Sequence, residues 1–204
     1  MLSGSSHRIV RGRAARGFTL VELMIGIALI GILMMLGMPS LSSYLHNAKL
    51  RATAEGFYAG LQRARAEAVR ANSQMQFVLT TDEPISFNQN TTNIAASAKN
   101  WMVRQPLTGG TFQFVEGKTH SEGAAGSSTT TGVQIDTGGI STVTFNGFGM
   151  TTLGAAATFA FTDPAGGSCA PTGPMRCLNV VVSVGGQVKM CDPAVTTVGD
   201  TRRC

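Results

Sequence analysis

The sequence predicts an α+β protein: a long N-terminal helix whose membrane-spanning first half leads into a second half packed on a C-terminal antiparallel β-sheet or β-sandwich domain. Three observations carry this. Phe18 to Met38 is an apolar run with one charge, Glu22. Apolar residues then recur at helical spacing up to residue 72. Beyond residue 74, short alternating segments are divided by glycine and proline turns. Of 204 residues, 43% are hydrophobic and 13% charged, and the 25 glycines show no three-residue period. That excludes a charged disordered chain and a collagen.

The first 17 residues hold Arg8, Arg11, Arg13 and Arg16 and no acid, a charge of +4. Residues 18–204 hold 12 Lys/Arg against 11 Asp/Glu, so the total of +5 belongs almost wholly to this leader. A phosphate-binding protein would concentrate charge on its folded part. As a helix, the run 18–38 spans about 31 Å, enough for a bilayer's hydrocarbon core, with the arginines on the cytoplasmic side. A cleaved secretory signal would be shorter and end in an A-x-A site, which is lacking. Neither reading explains Glu22, since an acid within such a run implies a partner. Pro39, which has no N–H and clashes with the preceding turn, implies a kink or local melting.

Residues 40–73 form the amphipathic second half. Leu41, Leu45, Ala48 and Ala52 and then, after a phase shift at Gly56, Phe57, Leu61, Ala64 and Ala68 make a stripe facing one sheet. Arg63, Arg65 and Arg70 read as a polyanion-binding ridge or, more simply, as a solvated face with local pairing to Glu67. The helix ends at Asn72-Ser73.

In the domain 74–204, strands are expected at Met75–Thr81, Asn100–Arg104, Thr111–Val115, Val133–Asp136, Ser141–Asn146, Thr158–Thr162, Cys177–Val184 and Gln187–Cys191. Residues 82–98 and 117–131 read as mobile polar loops. Cys169, Cys177, Cys191 and Cys204 cluster in the last 36 residues, which indicates disulfides in an oxidising compartment. Their spacing does not suit a zinc knuckle. Three pairings are open. A two-residue turn at Gly185-Gly186 sets Val180 opposite Cys191 and Cys177 opposite Ala194, which favours Cys169–Cys177 with Cys191–Cys204.

No catalytic, cofactor or metal motif is found. His7, His46 and His120 lie in no recognised context, and Gly147-Phe148-Gly149 lacks the helix a phosphate loop needs. Asp163-Pro164 and Asp192-Pro193 read as turns, and the lone Trp101 as a core anchor.

Arg16-Gly17-Phe18-Thr19-Leu20-Val21-Glu22 closely resembles the cleavage site of type IV prepilins and type II secretion pseudopilins. The resemblance implies cleavage by a prepilin peptidase between Gly17 and Phe18 and N-methylation of Phe18. It also implies that Glu22 neutralises a neighbour's N-terminal amine and that Pro39 is a helix-distorting proline. Residues 60–79 resemble the GspH/FimT branch, and 177–193 look most like the minor pilins called FimU. Implied partners are other minor and major pilins, the inner-membrane assembly platform and the inner membrane itself, with the globular domain periplasmic and later at the pilus tip or cell surface. Two alternatives are a type II secretion pseudopilin and a DNA-binding minor pilin of the FimT type. The latter's Gly-Arg-x-Arg motif aligns here with Gly186-Gln187-Val188-Lys189, which lacks both arginines. Arg176, Lys189, Arg202 and Arg203 remain as a candidate C-terminal basic patch.

Overall fold

The structure is a computed structural model that describes residues 17–120 and 132–204, the side chains of 35–40 excepted. The leader before Gly17 and residues 121–131 of the loop expected over 117–131 lie outside the described residues, whereas Gly117 and Lys118 belong to a strand that pairs with Met102 and Trp101. The chain divides at Pro39/Ser40 into two compact units.

Helix α1 runs from Leu20 to Ala71. In the first unit it opens with a capping box: the Glu22 N–H donates to Thr19 Oγ1 at 3.2 Å and the Thr19 N–H to Glu22 Oε2 at 3.5 Å. Every described side chain from Phe18 to Met34 except Gly26 is exposed. Among the described residues no helix is long and apolar enough to cross a membrane. The described part of the expected span stops at Met34, short of the roughly 20 residues a bilayer crossing needs. The backbone stays helical through Pro39, so the local melting expected there is not seen.

In the second unit, Asn72 takes the left-handed conformation at φ 45° and closes the helix. Ser73 N–H donates to Ala68 O and Asn72 N–H to Val69 O, the paired bonds of a Schellman cap. Eight strands follow: β1 Met75–Thr80, β2 Asn100–Pro106, β3 Phe112–Lys118, β4 Gln134–Asp136, β5 Thr142–Phe145, β6 Ala157–Thr162, β7 Leu178–Val182 and β8 Val188–Cys191. They form two antiparallel sheets, ordered β3-β2-β1-β5 and β4-β6-β7-β8.

The helix packs on both sheets, not on one. Its buried row is Leu50, Ala54, Phe57, Leu61, Ala64 and Ala68, at spacings of four and three with no break at Gly56. Leu41, Leu45, Ala48 and Ala52, expected to face a sheet, are exposed. They form a second apolar row on the same helix, and only one row can face the core. The Phe57 ring lies 4.8 Å from Phe77 of β1 and 4.9 and 5.3 Å from Phe159 and Phe161 of β6. A Cβ on Gly60 would come 2.7 Å from the Trp101 ring, so the helix approaches β2 there as closely as glycine allows. Trp101 stacks on Phe77 and is buried, a core anchor.

Two local expectations are corrected. Residues 82–98 are fastened in place: Asp82 accepts from Asn93, buried Arg104 donates to Gln89 O, and the side chains of Gln89 and Asn90 accept the Phe114 and Phe112 N–H groups at the edge of β3. These polar side chains spend their hydrogen bonds on the backbone of a sheet edge. The β7–β8 hairpin pairs Val180 with Met190 and Asn179 with Cys191, one residue away from the expected register. Its loop is Val184-Gly185-Gly186, with Gly186 at φ 77°, and the extra loop residue moves the pairing. Both favoured disulfides, Cys169–Cys177 and Cys191–Cys204, are present.

Since Phe57 fills the space between the helix and both sheets, Phe57→Ala is expected to cost about 3–5 kcal/mol of unfolding free energy in denaturant titration. Leu41→Ala, on the exposed row, should stay within about 0.5 kcal/mol.

Candidate functional site

The residues that the sequence marks for function fall at two places, one in each unit. In the first, Gly17 and Phe18 precede the helix in non-helical backbone, and Phe18 is 81% exposed. Nothing lies within 4 Å of a Cβ built on Gly17. Among the described residues, nothing covers the bond between these two. Glu22 is exposed, and its one described hydrogen-bond donor is the N–H of Thr19. The long Thr19 bond leaves the carboxylate with acceptor capacity for a second donor. The Thr19-x-x-Glu22 spacing is itself a capping-box signal, which the sequence reading passed over.

At the second place, in the C-terminal part of the second unit, the four basic candidates fall into two separate pairs. Lys189 Nζ donates to Arg203 O at 2.7 Å. Arg176 and Arg202 line one groove of about 480 Å³, joined by Arg51 from α1. The groove's other lining residues include Tyr44, Ala48, Leu178, Met190 and Asp192. The patch is partly neutralised. Arg202 makes two bonds to Asp200, at 3.2 and 2.8 Å, and this pairing holds the Asp200 carboxyl down to about 2. Arg51 pairs with Glu55 at 2.7 Å.

The other expectations are settled locally. Arg63 and Arg70 both pair with the buried Glu67, at 3.1 and 2.6 Å, and Arg65 Nε donates to Gly149 O. These arginines are a paired helix face, not a polyanion ridge. Asp163 and Asp192 are turn residues, accepting from Ala165 N–H and Ala194 N–H. Sequence reasoning missed that His46 Nδ1 lies 2.8 Å from Asp163 Oδ2, tying α1 to the loop after β6. A separation of 117 residues leaves no local signal for that pair. His120 borders a cavity of about 20 Å³, room for little more than one water. Both its ring nitrogens are buried and have no hydrogen-bond partner among the described residues, and burial, with Lys99 and Lys49, lowers its pKa. Among the described residues no group of three or more His, Cys, Asp or Glu side chains could hold a metal ion.

An apolar helix start that no described residue covers and, in the second unit, a helix laid on two antiparallel sheets make a pilin-like α+β fold. Residues 53–186 match the family described as type II transport protein GspH, and residues 12–38 match the prokaryotic N-terminal methylation motif. The chain belongs to the GspH family, whose members are structural pilins and pseudopilins. No curated protein matches it. Among solved structures it is similar to the type IV minor pilin FimU of Pseudomonas aeruginosa, at 16% identity and a TM-score of 0.49 over 72% of this chain and 91% of that one. It is also similar to the minor pseudopilin EpsH from the type 2 secretion system of Vibrio cholerae, at 13% identity and a TM-score of 0.45 over 72% of this chain and 99% of that one.

Two titrations check these local environments. Below the ordinary histidine value of 6.5, the unfolded chain takes up a proton at His120 that the folded chain, its pKa lowered, does not. Stability should therefore fall as pH drops through 6.5, and His120→Asn should reduce that loss in melting curves at pH 7.5 and 5.5. In NMR, the Asp200 carboxyl should titrate near 2, and Arg202→Ala should return it toward 3.8.

Proposed function

We propose that this chain is a minor type IV pilin that joins the assembly-priming or tip complex of a pilus through packing of its N-terminal helix. The observation that carries the reading is the bare helix start. Leu20, Val21, Leu23, Met24, Ile25, Ile27 and their neighbours up to Met34 are exposed around the helix, with Glu22 as the single charge. A helix apolar on every side is stable only in a membrane or among other such helices. Single-pass insertion in the inner membrane, with the globular domain periplasmic, stores this helix before assembly. Cleavage after Gly17 removes +4 of charge and leaves the Phe18 amine, which becomes N-methylated, as the new terminus. Glu22, four residues on, then meets the amine of an adjacent subunit, since charges leaving water require pairing. Pro39, at the division between the two units, is the helix-distorting proline of this reading.

A type II secretion pseudopilin is the second reading, favoured by the family match over 53–186. The helix mechanism is the same in both, and loss of piliation or loss of secretion on deleting the gene separates them. DNA binding is weakly supported: the patch is shared with Asp192 and Asp200, and residues 18–204 carry a net charge of only +1.

The test is incorporation. Glu22→Ala should be processed and folded normally yet fall about tenfold or more in sheared filaments or in co-purification with partner pilins, the expected loss when one partner of a desolvated ion pair is removed. Undiminished incorporation of that variant would remove the proposed role of Glu22.

A further inference from the structure

We propose that the groove between α1 and the β7–β8 hairpin is a docking site for an acidic protein segment that carries an apolar anchor side chain. The site uses residues 44–51 of α1, within the second unit, and does not depend on which filament the chain joins. Its floor is apolar: Ala48, Leu178 and Met190 lie beside Tyr44, which is 69% exposed. Leu41 and Leu45 continue the same exposed helix row, the one the domain core does not use. At about 480 Å³, the groove is in the size range that takes a few side chains or a small ligand.

Its charge is complementary to carboxylates. Arg51, Arg176 and Arg202 line it with one acid, Asp192, while Glu55 and Asp200 pair with Arg51 and Arg202 from outside the lining. Arg176 is exposed, and among the described residues its guanidinium has no partner. The pairing of the other two arginines orients them without exhausting them. Arg51 is bonded through Nε and Arg202 through Nε and one terminal nitrogen, and a guanidinium has five N–H donors. Asp192 is turned to its own backbone, accepting the Ala194 N–H. Three fork-shaped donors around an apolar floor suit carboxylates flanking a buried leucine or phenylalanine.

The walls are fixed in advance, which lowers the ordering cost of binding. Asn47 bridges helix and loop, donating to Pro174 O at 3.3 Å and accepting the Arg176 N–H at 2.7 Å. The Cys191–Cys204 disulfide and the Asp192 N–H bond to Arg202 O hold the tail against β8. A nucleic acid is the poorer occupant. Phosphates are gathered by an open basic ridge, whereas here the arginines rim a concave apolar floor that includes an acid.

The test uses the full chain in detergent micelles and a fluorescein-labelled ten-residue peptide alternating Asp/Glu with Leu/Phe, read by fluorescence anisotropy. Comparison probes are the same peptide with Asn/Gln for every acid, the peptide with Ala for every Leu/Phe, and a twenty-nucleotide single-stranded DNA. The expected result is saturable binding of the acidic–apolar peptide only. Arg176→Glu should weaken it about tenfold or more, as reversal of a contacting charge does, and Tyr44→Ala should weaken it severalfold. Circular dichroism should show both variants folded, since both positions are exposed. Equal binding of the acidic and neutral peptides, no binding, or an effect of neither variant would overturn the proposal. DNA that binds and displaces the peptide would replace it with a polyanion site.

Discussion

Phe57 touches both sheets at once, and the arrangement of the globular unit depends on that contact. Its ring meets Phe77 of the first sheet and Phe159 and Phe161 of the second. Neither four-stranded sheet could close a core alone, because each would leave an apolar face in water. The helix row from Leu50 to Ala68 gives the two faces a common surface, and Gly60 lets the backbone come down onto Trp101. Polar groups finish the job at the margins. Glu67 is buried between Arg63 and Arg70, Asp163 is held by His46, and the edge of β3 is capped by Gln89 and Asn90.

One helix therefore does two different kinds of work along its length. From Leu50 onward its apolar side chains are consumed by its own domain. From Phe18 to Met34 they are consumed by nothing in the described chain. Between these lies an intermediate case, where Leu41, Tyr44, Leu45 and Ala48 are exposed on a helix that is otherwise part of the domain. The sequence places the same amphipathic chemistry in all three segments, and tertiary structure decides which row is inside. An unused apolar row beside three arginines is a surface shaped for a partner.

The legible parts of the sequence were those governed by local chemistry. The apolar run with Glu22 and the strand positions set by alternation and glycine turns followed from patterns a few residues long; the disulfide pairs are as favoured, although the register they were argued from is one residue off. Asn72 marked the helix end because asparagine tolerates the left-handed cap. What was misread needed distant partners. Leu41 and Leu45 have the same period as Leu61 and Ala64, and only the position of the sheets distinguishes them. The hairpin register turned on whether Val184 belongs to the strand or to the loop, a choice fixed by the Thr151 N–H bonding to Val184 O. Residues 82–98 looked loose because their composition is polar, yet those polar groups are what secure them to β2 and β3. The groove was half visible: Arg176 and Arg202 stood out as charges, whereas Arg51 and Tyr44 arrive from a helix more than 100 residues away in the chain.

On this reading the helix start becomes the N-terminus by processing and is kept for other subunits. Mass spectrometry of the N-terminal peptide, from protein expressed with a prepilin peptidase and extracted from membranes, tests it most directly. The expected chain begins with N-methylated Phe18, with Glu22 at its fifth position. A chain that retains Arg16-Gly17, or one cut beyond Pro39 so that the apolar helix is lost, would contradict it.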